Sequence, residues 1–169
     1  MPLVEKCVTV DGSAVKSPKN LIVPVGTSIA DVIEAAGGLS EEAGKILYGG
    51  PMMGMAVYST SLPVLKNTNA ITVLNRKDAM PKELFPCIHC GRCVDACPMG
   101  LNPTLFAKSV NLDDPADRAE RLEKGKINLC MECGCCSFVC PSARPLVEMN
   151  RLSKATLREF NLSQKARNN

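Results

Sequence analysis

Cys87-Ile-His-Cys90-Gly-Arg-Cys93-Val-Asp-Ala-Cys97-Pro98 is followed, 43 residues on, by Cys130-Met-Glu-Cys133-Gly-Cys-Cys136-Ser-Phe-Val-Cys140-Pro141. Displacing the first run by that interval superimposes four cysteines, a glycine and a proline on the second. Each half reads C-x2-C-x2-C-x3-C-P, and this internal repeat constrains the chain more than any local propensity around it.

Three thiolates at x2 spacing can wrap one face of an iron-sulfur cubane, and the fourth must arrive from elsewhere. Bacterial two-cluster ferredoxins use the same run, with the proline-marked cysteine crossing to the other cluster. On that pattern Cys87, Cys90 and Cys93 join Cys140 on one 4Fe-4S cluster, while Cys130, Cys133 and Cys136 join Cys97 on the other. Gly91 and Gly134 are expected to let the backbone turn tightly and aim N–H groups at sulfide. Zinc sites need only four cysteines each and do not call for a third and fourth cysteine plus proline, repeated.

Ten cysteines in a small secreted chain would suggest disulfides, but eight of these lie in close clusters and nothing at the N-terminus reads as a signal peptide. A reducing, cytosolic setting is expected. Cys135, a ninth thiol inside the second run, is expected to be a bystander because Cys136 keeps the register of the repeat; exchange of ligands or a different cluster type is the alternative. Cys7 is expected to be a small buried residue of a strand. His89 is the sole histidine, whereas Rieske-type ligation needs two per cluster, so it reads as surface or as a contact beside the ligands.

With 4% aromatic residues and no Trp, the core must be aliphatic and rich in Met, and metal is expected to centre the cysteine-rich part. The net charge of +3 invites a nucleic-acid reading, but it counts the ligands as neutral. Eight thiolates set against two cores of about +2 each turn it to roughly −1. No apolar run approaches the roughly 18 residues of a membrane span, so membrane association would pass through a partner.

Upstream, residues 3–10 alternate apolar and polar and stop at Asp11-Gly12, and Asn20 to Val25 forms a second strand that Pro24 places at an edge or an end. Ser28 and Asp31 cap a short helix with Ile29, Val32, Ile33 and Ala36 inward, ended by Gly37-Gly38. Residues 45–48, 55–58 and 70–74 are further strands, making an α+β module. Gly49 to Gly54 reads as a tight loop with packed methionines, the alternative being a partner or ligand surface. Charges and prolines mark a linker at 77–86.

The connector between Cys97 and Cys130 holds 32 residues, far more than a ferredoxin hairpin needs. Pro103 and Pro115 each open a helix within it, the second ending at Gly125. Residues 145–160 form a last helix with Leu146, Met149, Leu152, Leu157 and Phe160 at helical spacing. Its Arg and Lys residues read as a solvated face or a docking patch for an acidic redox partner.

Val8-Thr-Val-Asp-Gly-Ser-Ala-Val-Lys-Ser-Pro-Lys-Asn20, Gly49-Gly-Pro-Met-Met-Gly54, Lys66-Asn-Thr-Asn-Ala-Ile71 and the run from Pro86 to Leu101 together resemble the C-subunit family of the Rnf electron transport complexes. The resemblance implies a soluble-ligand-binding β-grasp (SLBB) domain at 1–76, an α-helical ferredoxin domain with two 4Fe-4S clusters at 87–160, and a flexible tail at 161–169. It also implies a peripheral protein on the cytoplasmic side of the cell membrane, relaying electrons between NADH and ferredoxin through a complex that pumps sodium ions or protons. In that family FMN and NADH are bound by a domain ahead of the β-grasp module. This chain has no counterpart to it, so the expectation is a C-terminal piece that does not oxidise NADH by itself, with other subunits and a ferredoxin-type or flavin redox partner. A flavin-linked cobalamin reductase with the same module order is the alternative; a structural or nucleic-acid-binding role is disfavoured by the charge.

Overall fold

In strand β1 (Glu5–Asp11) Val8 and Val10 are fully buried while Cys7 and Thr9 face outward. The expectation of a buried Cys7 is therefore corrected: with a side-chain period of two, burying the valines turns Cys7 to the exposed face. The structure, a computed structural model, describes residues 2–167 and divides between Pro81 and Lys82 into two units.

In the first unit β1 pairs antiparallel with β2 (Lys19–Pro24) and parallel with β5 (Ala70–Asn75), which in turn pairs antiparallel with β3 (Ala43–Tyr48). With the short β4 (Met55–Ala56) beside β3, the order β2-β1-β5-β3-β4, with β1 and β5 parallel at the centre and one helix across the sheet, is the β-grasp arrangement. Pro24 ends the edge strand β2, where its missing N–H breaks no ladder. Helix α1 (Ile29–Ala35) begins at Ser28, whose Oγ accepts from the Asp31 N–H at 3.1 Å, and it buries Ile29, Val32 and Ile33 on Val8, Val10, Ile71 and Val73. Gly12 has φ +123 and lies so close to β5 that a Cβ there would meet the Val73 carbonyl oxygen at 2.1 Å.

Three local expectations change here. Strand β4 is only Met55–Ala56, because Val57 still donates to Ile46 but the chain then turns away, the Ser61 N–H bonding Ser59 Oγ at 3.1 Å. The loop Gly49–Gly54 is tight, Gly54 donating to the Gly50 carbonyl at 2.7 Å, yet Met52 and Met53 are exposed rather than packed. Residues 77–79, expected in a linker, belong to helix α2 (Arg76–Ala79), which Asn75 caps through the Asp78 N–H at 2.8 Å. Gly44 makes room for it: a Cβ there would lie 2.7 Å from Arg76 Cα.

In the second unit the repeat is conformational as well as chemical. Gly91 and Gly134 have φ of 79 and 81, and each opens a single-turn helix, α3 (Arg92–Asp95) and α6 (Cys135–Phe138). His89 and Glu132, also 43 residues apart, share φ of 56 and 57. Each run is followed by a longer helix, α4 (Pro103–Ser109) after the first and α7 (Leu146–Arg167) after the second. The connector adds α5 (Pro115–Lys124), capped by Asp114 and ended by Gly125. Phe106, Leu122, Ile127 and Leu157 make one core, and Cys93, Ala107, Cys136, Leu146 and Val147 another.

Helix α7 continues past Phe160 to Arg167, so 161–167 extend the helix where a tail was expected; residues 168–169 lie outside the described part. Nothing in Leu-Ser-Gln-Lys-Ala-Arg breaks a helix, and Asn161 donates to Glu123 of α5 at 3.2 Å. The buried stripe of α7 is Leu146, Val147, Asn150, Ser153 and Leu157, whereas Leu152, expected inside, is exposed. Among the described residues no helix is long and apolar enough to cross a membrane.

Candidate metal centres

Two concavities of the helical unit gather the cysteines of the repeat. One is lined by Cys87, Cys90, Cys93 and Cys140, the other by Cys97, Cys130, Cys133, Cys135 and Cys136. Each thus combines the three x2-spaced cysteines of one run with the proline-marked cysteine of the other, and the second holds Cys135 as well. The positive-φ glycines reverse the backbone between the second and third cysteine of each run, so that α3 and α6 present Cys93 and Cys136 inward, at 7% and 8% exposure.

Hydrogen bonds hold the crossing. Ahead of Cys87, the Phe85 N–H donates to the Ser142 carbonyl at 3.1 Å, and the buried Ser142 hydroxyl donates to the Pro86 carbonyl at 2.9 Å. These bonds clamp the approach to the first run onto the residues just after Cys140. At the other concavity the Leu101 N–H points at Cys97 Sγ, 3.4 Å away, and Asn150 Nδ2 lies 3.6 Å from Cys130 Sγ.

The thiols report their surroundings. Burial pushes the Cys136 thiol up to about 11, with the charges of Cys130 and Cys133 adding to the rise. Burial likewise raises Cys93, with Cys140 and Cys87 contributing. Cys135 is raised first by its hydrogen bond with Cys133, then by burial and by the nearness of Cys133 and Cys97. A protonated Cys136 must lose its proton to become a ligand, so loading with metal releases protons and is favoured as pH rises.

The donor set fits iron-sulfur chemistry. The other ligand-type side chains beside the thiols are His89, which is exposed, and Glu132, which is engaged elsewhere. The Glu132 carboxylate accepts from Lys154 at 2.8 Å and from Arg151 at 3.1 Å, and these bonds, Lys154 first, hold it below its ordinary range. Among the described residues no three His, Cys, Asp or Glu form a site for a metal ion. A zinc-type centre would draw its thiolates to about 4 Å of one another around one ion; a cubane holds them further apart. All ten cysteines are free thiols.

Sequence reasoning missed Asn150 and Glu132 as neighbours of the site. Asn150 carried a legible signal, a polar residue four positions after Leu146 on the stripe that the helix buries.

Family models match in the same order as the two units: an SLBB domain over residues 7–56 and a 4Fe-4S dicluster domain over residues 83–144. The chain carries an SLBB domain followed by a 4Fe-4S dicluster domain. A further 4Fe-4S dicluster model matches residues 55–102. The chain is similar to the C subunit of the ion-translocating oxidoreductase complex of Methanosarcina acetivorans, with 48% identity over 111 residues, 66% of this chain and 25% of that protein. It is 42% identical over 107 residues to the C subunit of the proton-translocating ferredoxin:NAD(+) oxidoreductase complex of Clostridium ljungdahlii, covering 63% of this chain and 23% of that one. The cobalamin reductase PduS of Citrobacter freundii is 32% identical over 178 residues, 95% of this chain and 39% of that protein. The chain therefore spans well under half the length of these relatives. As an SLBB plus dicluster chain it is an electron-transfer module with two 4Fe-4S clusters as its cofactors.

Proposed function

We propose that Cys87, Cys90, Cys93 and Cys140 hold one cluster and Cys130, Cys133, Cys136 and Cys97 the other, and that the dicluster domain passes single electrons between partners within a membrane-associated, ion-translocating ferredoxin:NAD oxidoreductase complex. The observation that carries the ligand sets is the lining of the two concavities, each gathering the three x2-spaced cysteines of one run and the proline-marked cysteine of the other, with Cys135 as a fifth thiol in the second. The complex is supported by the two C subunits described above, whose names are those of ion-translocating oxidoreductases. The clusters supply one-electron carriers; the protein holds their thiolates, shields them and aims N–H groups at sulfur.

In this reading the module attaches peripherally, on the cytoplasmic side, through other subunits. Cys135 stays a thiol at the rim of the second site, because the buried Cys136 occupies the position equivalent to Cys93. A cobalamin-reductase relay is the second reading, favoured by the match to PduS along 95% of the chain. Anaerobic reconstitution followed by iron and sulfide counts and EPR on stepwise reduction tests the core of the proposal. Roughly eight irons per chain and two spin-coupled reduced cubanes are expected; four irons, or a single uncoupled signal, would contradict it. Co-isolation with membrane proteins of such a complex, as against electron delivery to a cobalamin, separates the two readings.

A further inference from the structure

Asn150 sits on the buried stripe of α7 at 2% exposure, with its amide nitrogen 3.6 Å from Cys130 Sγ and its amide oxygen without a partner among the described residues. An unpaired carbonyl oxygen in an interior keeps the full cost of its lost hydration. Packing alone does not account for that cost, because an apolar residue would fill the position without it. The amide also has a fixed sense: a thiolate only accepts hydrogen bonds, so the nitrogen must face the sulfur.

The repeat supplies an internal control. Displaced by the same 43 residues, Asn150 falls on Ala107 of α4, and Cys130 falls on Cys87. Ala107 is also buried and lines the same cavity as its cysteine, but it has nothing to donate. Where an amide would reach Cys87 there is instead a cavity of about 220 Å³ bordered by Cys87, Ala107, Lys108 and Arg144. The two halves thus share the cysteine pattern, glycines and backbone turns and differ in the donor beside this cysteine.

We propose that Asn150 is a tuning residue whose N–H···S bond to Cys130 raises the reduction potential of the second cluster, and so sets the two clusters of the relay apart. This rests on the ligand sets proposed above. Reduction adds negative charge to the cluster and its sulfurs, so a donor fixed on a ligand sulfur strengthens in the reduced state and favours it. The bond is charge-assisted, and the burial of Asn150, at 2% exposure, keeps the donor from exchanging its partner for solvent.

The test is an EPR-monitored redox titration of the reconstituted full chain and of Asn150→Ala, the residue that the equivalent position already accommodates. With both cubanes present by iron count, one of the two reduction steps is expected to move to lower potential and the other to hold. At a fixed poise the reduced-to-oxidised ratio of the affected cluster should fall by a factor of about 10, the size of one charge-assisted hydrogen bond. Two steps that stay put, or that move together, would overturn the proposal. If the variant loses iron, unmutated chain carrying ¹⁵N in its asparagine side-chain amides decides instead: a ¹⁵N hyperfine coupling on one cluster is expected, and its absence from both overturns the inference. Failure of the ligand reading looks different, since fewer than two cubanes would then form in the unmutated chain.

Discussion

The two units solve the problem of a core in opposite ways. In the SLBB domain a continuous set of fully buried aliphatic side chains, Val8, Val10, Ile29, Ile71 and Val73 among them, closes a sheet and a helix on each other. Each such side chain contributes about 1.5–3 kcal/mol by leaving water. The dicluster domain has two smaller cores; Cys93 and Cys136 belong to one of them, and Cys97, Cys130 and Cys140 pack at the margins. One unit is folded by its side chains, and the other by its side chains together with what its thiolates bind.

Removing iron should set the two units apart most visibly. On chelation under anaerobic conditions, amides of α4, α5 and α7 are expected to lose hydrogen-exchange protection while those of β1 and β5 keep it; equal protection in both units after iron loss would count against the contrast. Next in size are core truncations. Ile71→Ala is expected to destabilise its unit by about 2–5 kcal/mol with iron content unchanged. Phe106→Ala, at about 3–5 kcal/mol, should lower both the unfolding midpoint and the iron retained. Denaturant melts paired with iron assays read both effects, and iron loss in the Ile71 variant would erase the distinction.

The smallest effect belongs to the ion pairs beside the second run. Glu132→Gln should cost no more than about 1 kcal/mol, since Arg151 and Lys154 are only partly buried. The carboxyl of Glu132 is held below its ordinary value of 4.5, so its contribution is present above that pH and fades as pH falls through the lowered value. Acid melts of the two proteins should therefore converge below the carboxylate range and separate above it.

The sheet was legible because its strands alternate and its helix carries caps and a glycine stop. The connector helices were legible for the same reason, with Pro103 and Pro115 at their starts. Cys7 was misread by weighing residue type above the period of two, and α2 by taking charges and a nearby proline as a linker when Asn75 was a cap in plain view. The end of α7 depends on Glu123 holding Asn161 from another helix, and the exposure of Met52 and Met53 depends on how a loop leaves a sheet; neither is a local property. The cysteine repeat was legible in its entirety, whereas Asn150 matters only once α7 is placed against the second run.

Whether the fourth cysteine of each run crosses to the other cluster is decided by EPR on three alanine variants. The cubane that survives Cys97→Ala should have the spectrum of the one that survives Cys130→Ala. Should it match the survivor of Cys87→Ala instead, each run would hold its own cluster and the crossed ligation would be wrong.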